Sequence, residues 1–121
     1  MGPSESHEEY WRALETFLQS KRVVIDRPKG TAHPRIPDYI YPVDYGYVAD
    51  TAAPDGHEID VWRGSSQTGR VDALLCTVDL IKMDAELKIM LSCTPEELAV
   101  VSELQNSRGM SAILVRRETQ S

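Results

Sequence analysis

Five of the chain's seven prolines fall between Pro28 and Pro54. No long helix survives that spacing, because each ring removes a backbone donor and restricts the residue before it. Residues 26–58 accordingly carry little regular periodicity. A stretch of about 30 residues without long elements is unusual in a compact domain, and loops of that kind are commonly functional. This segment is therefore the expected carrier of a site. The whole chain, 121 residues, suits one domain over 1–121, with a helix inside 1–20 and a core over 22–117.

The flanking sequence is more regular. Residues 5–20 read as an amphipathic helix: Ser6 and Glu9 have capping-box spacing, and Tyr10, Trp11, Leu14, Phe17 and Leu18 form one apolar stripe. That stripe is expected to dock on the rest of the domain. Val23 to Ile25 predicts a short strand, Ile59 to Trp62 a second, and Val71 to Lys82 a longer third. Ala85, Leu87, Ile89 and Leu91 alternate with Asp84, Glu86, Lys88 and Met90, the period of a strand with one buried and one polar face. Thr94, Pro95 and Glu97 predict a capped helix start, the helix running to about Ser107 and closed by Gly109. Ala112 to Val115 predicts a last strand. Short strands with one terminal and one late helix imply a mainly β (α+β) fold, a small barrel or curled sheet with helices packed outside.

Charge excludes some functions. With 13 basic against 19 acidic residues and a net charge of −6, the chain is a poor partner for nucleic acid. No apolar run is long enough to span a bilayer, and the N-terminus has no signal-peptide core. Two isolated cysteines, Cys76 and Cys93, fit a reduced, cytoplasmic setting.

Between Ile36 and Trp62 stand Asp38, Asp44, Asp50, Asp55, Glu58 and Asp60, with no Lys or Arg among them. Carboxylates gathered without counter-ions repel unless they are solvated, protonated or bridged by a cation. Solvated turn residues are one reading; a site for a hard divalent ion such as Mg²⁺ is the other. A turn can bring Asp55 near Asp60, which points away from the face that Ile59 and Val61 bury. Asp84, Glu86 and Lys88 share one face of another strand and are placed to complete the site from across a barrel. Lys29, Arg35 and Lys88 flank the acids as candidate anion-holding groups, the pairing of metal and cation that phosphoryl chemistry needs.

These residues also carry a family likeness. Tyr41-Pro42-Val43-Asp44-Tyr45-Gly46-Tyr47-Val48, then Thr51, then Asp55-Gly56-His57-Glu58-Ile59-Asp60-Val61 resembles the soluble family I inorganic pyrophosphatases. Their pattern reads Tyr-Pro-x-Asn-Tyr-Gly-Tyr-Ile, then Thr, then Asp-Gly-Asp-Pro-x-Asp-Val. Val24-Ile25-Asp26, Pro28-Lys29-Gly30, Leu80-Ile81-Lys82-Met83 and Glu86-Leu87-Lys88 extend the likeness over about residues 22–98. It is specific over 41–61.

The resemblance implies a five-stranded OB-like barrel and Mg²⁺-dependent hydrolysis of diphosphate to phosphate, or of a related phosphoanhydride. On the matching positions Asp55 and Asp60 would ligate metal, and Glu86, with Asp84 nearby, would stand for a further metal-binding acid. Lys88, Tyr45, Arg35 and Lys29 would hold phosphate, and Tyr45 and His57 would be the catalytic pair. His57 replaces the family's middle Asp, which helps generate the attacking hydroxide. An imidazole accepts a proton near neutral pH but suits softer ions, so Mn²⁺ or another divalent ion enters beside Mg²⁺. Glu58 replaces the usual Pro, the Lys-x-Glu strand expected between Pro28 and Tyr41 is missing, and only Arg116 and Arg117 remain to stand for a late phosphate-binding pair. The expected partner is a small phosphorylated substrate, with self-association into a homo-oligomer suggested by the likeness. The alternative is a catalytically impaired module that binds a phosphorylated ligand or partner.

Overall fold

The computed structural model describes residues 7–53 and 56–118. Helix α1 (Glu8–Gln19) leads into β1 (Val23–Arg27), β2 (Asp44–Val48), β3 (Ile59–Arg63), β4 (Val71–Asp79) and β5 (Asp84–Leu91). Helix α2 (Pro95–Gln105) and β6 (Met110–Arg116) complete the order. The strands make one six-stranded sheet, β1-β2-β3-β5-β4-β6, antiparallel except where β3 runs parallel to β5. The fold is the mainly β, OB-like one expected, with a helix on each side. The sixth strand is β2, which lies inside the proline-broken segment. Its five residues are too few to show a period, and tertiary pairing with β1 and β3 makes it.

Alternate strand residues face opposite sides, and each side has its own core. Trp11 and Leu18 of α1 pack with Val48, Val61, Leu74 and Ile89 on one face. Leu98 and Val101 of α2 join Trp62, Leu75, Met90 and Tyr41 on the other. The apolar stripe of α1 thus docks as expected. Its start differs: the helix begins after His7, whose backbone is left-handed and gives no side-chain cap; Ser6 lies outside the described residues. Past α1 the same sheet face is bare, with Leu87, Val78 and Ile113 exposed.

Two local expectations are corrected. β4 stops at Asp79 and not at Lys82, because the Asp79 carboxylate accepts the Ile81 and Lys82 amides at 2.9 and 3.0 Å and turns the chain. On β5 the alternation holds but its sense is reversed in the first half. Ala85 and Leu87 are exposed, while Glu86 is half-buried and Lys88 fully buried beneath α2. At the start of α2, Thr94 Oγ1 accepts the Glu97 amide and Glu97 accepts the Thr94 amide, the reciprocal cap the sequence predicts.

Candidate functional site: a cationic, tyrosine-lined cleft

The α2-facing side of the sheet opens into a cleft of about 570 Å³. Its floor comes from register. Tyr45 on β2 lies opposite Trp62 on β3, and Asp60 lies opposite Lys88 on β5. One wall is the segment between β1 and β2. That segment is a short hairpin closed by the Ala32–Ile40 bridge and by His33 and Tyr41 amides donating to Tyr39 and Thr31 carbonyls. It sets His33 parallel to Tyr41 at 6.4 Å, and Tyr41 near-parallel to Tyr45 at 5.6 Å. Tyr45 in turn meets Trp62 at 4.5 Å. The opposite wall is the end of α2 and the turn after it, through Gln105 and Arg108.

The charge in this cleft runs against that of the chain. Arg27, Arg35, Lys82, Lys88 and Arg108 line it, with Asp79 the only acid among the lining residues. Five of 13 cationic side chains therefore face one concavity on a net-acidic protein, which suits an anionic ligand. Lys88 sits deepest. Its ammonium donates to Gln105 Oε1 at 2.9 Å and stands 5.3 Å from the Tyr45 ring centre. Burial pulls its pKa below the usual lysine range, and the carboxylates of Asp60 and Glu86 oppose that pull. Arg27 Nη1 donates to the Tyr41 hydroxyl at 3.0 Å.

Asp60 and Glu86 adjoin this floor. The Tyr45 hydroxyl interacts with Asp60, and burial, then Asp60, raises the Tyr45 pKa well above the ordinary phenol. Glu86 is pushed up to about 7 by burial and by hydrogen bonding to Asp60, with a smaller push from Asp84. Two carboxylates thus lie together beside a buried ammonium. Among the described residues no three His, Cys, Asp or Glu side chains form a metal-holding group. The pair nevertheless fits Mg²⁺, which typically takes one or two protein carboxylates and completes its shell with phosphate and water.

The structure brings Asp60, Glu86, Lys88, Tyr45 and Arg35 to or beside one cleft. Asp60 and Glu86 meet as neighbours in the sheet, since β3 and β5 are paired strands, and not from across a barrel. Asp84 is half-buried two residues further along the same strand face. Asp55 lies outside the described residues. His57 is exposed in the loop before β3, and neither it nor Lys29 is among the cleft-lining residues. Lys29 is exposed, its amide donating to Asp44 Oδ1 at 2.9 Å.

The described acids of that window do not all converge on one point: Asp38 pairs with Arg108 at 3.0 Å and Asp44 with Arg63 at 3.4 Å, arginines from outside the acidic window. Arg117 is no phosphate ligand in this fold, for its side chain is buried on the α1 side, paired with Glu8 and, at 2.7 Å, with Glu15. Sequence reasoning missed Arg27, Tyr39, Gln105 and Arg108. Arg27 directly precedes the Pro28-Lys29-Gly30 turn, which was a usable signal; the others reach the cleft only through tertiary packing.

No family profile and no curated protein matches the chain by sequence. Solved structures do match it by shape. The inorganic pyrophosphatase of Neisseria gonorrhoeae superposes with a TM-score of 0.59 at 19% identity, over 78% of this chain and 81% of that one. The Helicobacter pylori inorganic pyrophosphatase gives 0.54 at 16% identity, with the same coverage of each chain. That of Coxiella burnetii gives 0.53 at 16% identity, over 79% of this chain and 83% of the other. The chain has a pyrophosphatase-like fold. Its described helices include none long and apolar enough to cross a membrane.

Proposed function

We propose that this protein is a divalent-metal-dependent hydrolase of phosphoanhydrides, with inorganic diphosphate the first substrate the fold suggests. The observation that carries the reading is the Asp60–Glu86 carboxylate pair set against Lys88 and Tyr45 on the floor of a cationic cleft. Asp60 and Glu86, with Asp55 and Asp84 as further candidates, would hold Mg²⁺ or Mn²⁺. When bound, such an ion supplies polarisation of phosphoryl oxygen and a more acidic water.

The rest falls to the chain's own side chains. Lys88 presents a fixed ammonium whose partner, Gln105, leaves it two further donors for phosphate oxygens. Arg27, bonded to the Tyr41 hydroxyl, and Arg35 add positive charge at the wall, and charge accumulating on a departing phosphate is stabilised by groups already in place. Tyr45 keeps its proton far above neutrality, so it acts as a hydrogen-bond donor and not as a base. His57, in the loop leading to Asp60, is the proposed proton acceptor for water.

Phosphate release from diphosphate with Mg²⁺ or Mn²⁺, reduced about 100-fold or more in Asp60→Asn, is the expected result. No turnover of any phosphoanhydride across several divalent metals would reject it. Ligand binding that persists without divalent metal and without turnover would leave the binding-module alternative.

A further inference from the structure

The cleft is larger than an inorganic diphosphate requires. Two phosphorus and seven oxygen atoms take on the order of 150 Å³, and a Mg²⁺ ion with its waters about as much again, against about 570 Å³ available. A volume of that size suits an organic ligand.

The lining also changes in kind across the cleft. Lys88, Tyr45 and Arg27 mark the end beside the carboxylate pair. Gln105 spans the floor, accepting from Lys88 and donating through Nε2 to the Tyr39 hydroxyl at 3.0 Å. Beyond it the lining includes Tyr39, Leu104, Met110 and Ile81, with Asp79 and Lys82 on either side of Ile81. The Arg108 guanidinium lies 5.5 Å from the Tyr39 ring centre, and His33 meets that ring edge-on at 5.4 Å. Ile81 reaches this end from the β4–β5 turn, where it is 77% exposed between Leu80 at 66% and Met83 at 78%. Apolar groups held in water at the mouth of a cleft mark a contact surface.

We infer that the cleft takes a nucleoside diphosphate, its phosphates at the Lys88 end and its base at the Tyr39–Arg108 end. This rests on the reading of the cleft as a phosphate site. A planar base stacks on a guanidinium; that of Arg108 lies over the Tyr39 ring and pairs with Asp38 at 3.0 Å, which holds it at this end, and Ile81 and Met110 cover apolar edges that diphosphate lacks. In hydrolysis the water oxygen bonds to the β-phosphorus and the bridging oxygen leaves on the nucleoside monophosphate. Phosphate and one proton are released.

The test is calorimetric titration of the full chain with ADP, UDP and inorganic diphosphate, with Mg²⁺ and again in EDTA, followed by phosphate release from each with Mg²⁺. At least one nucleotide is expected to bind about tenfold or more tightly than diphosphate, the gain one stacked base supplies. Tyr39→Ala should remove most of that ratio. Ile81→Ser, at an exposed turn where folding is not at stake, should lower it in the same direction. Diphosphate binding as tightly as both nucleotides overturns the inference and leaves the proposed hydrolysis standing. Nucleotide preference without phosphate release overturns the hydrolysis and keeps the ligand class. No binding of any of the three in either condition, and no phosphate release, overturns both.

Discussion

Gly46 shows why part of the 41–48 motif is architectural. A Cβ there would collide with the Val24 carbonyl across the β1–β2 pair, so glycine is what lets the two strands close. Gly46→Ala should destabilise the fold on the order of 3 kcal/mol, read as a lower urea midpoint; an unchanged midpoint would mean that the strands can separate locally at no cost. Thr51 is similar: its hydroxyl donates to the Val48 carbonyl at 2.7 Å and accepts the Ile59 amide at 3.1 Å, tying the loop between β2 and β3. Tyr45 in the same motif, and Asp60 beyond it, would carry the proposed chemistry. At this scale the site was half legible. Strand parity places Asp60 off the Val61 face, and the shared face of Glu86 and Lys88 follows from spacing by two. What the sequence does not reveal is which acids find an arginine, since Arg108 and Arg63 reach Asp38 and Asp44 only after folding.

Among the elements, α2 and β5 were the most readable and β2 the least. Thr94, Pro95 and Glu97 announce a helix start by local chemistry alone, and the structure makes each of those bonds. Glu97 does more, because its carboxylate also accepts the Ser65 amide at 3.1 Å, linking α2 to the turn after β3. Thr94→Ala should therefore cost about 1 kcal/mol and Glu97→Ala about 2 kcal/mol, compared by chemical denaturation; equal losses would show that the Ser65 contact contributes nothing. The β5 pattern misled in one respect, since alternation gives two faces but not which is buried. Here the α2 packing decides, and it buries Lys88. Helix α1 is held at a distance in sequence: Arg117 Nη1 reaches Glu15 at 2.7 Å and the Val71 carbonyl at 3.2 Å, with Glu8 on its other side. Arg117→Met should lower amide-exchange protection in α1 first, ahead of the sheet. Uniform loss across both would argue that the helix and sheet unfold as one unit.

Over the whole molecule, the cleft side of the sheet gathers phenols and a thiol whose protons are hard to remove. Burial, followed by the neighbouring Tyr41, lifts Tyr39 to about 12, and burial, followed by Glu97, lifts Cys93 to about 12. Tyr45 moves the same way. In the unfolded chain a thiol ionises near 8.5 and a phenol near 10. Both folded-state values are raised, so the stability they contribute is fully present below those unfolded values and is lost as pH climbs toward 12. Between them the native state binds more protons than the unfolded state, and unfolding free energy falls by at most about 1.4 kcal/mol per pH unit for each such group. Above pH 8, past the Glu86 titration, stability should decline with a slope that steepens from 10 to 11, where the depressed Lys88 pKa no longer opposes the fall, measured by urea denaturation at each pH. Tyr39→Phe removes one of these protons and should flatten the upper part of that decline while leaving the curve below pH 9 unchanged in shape. A stability that stays level from pH 9 to 11 would mean that water reaches the phenols and the thiol freely, and with it the solvent-excluded floor on which Lys88 and the carboxylate pair depend would be gone.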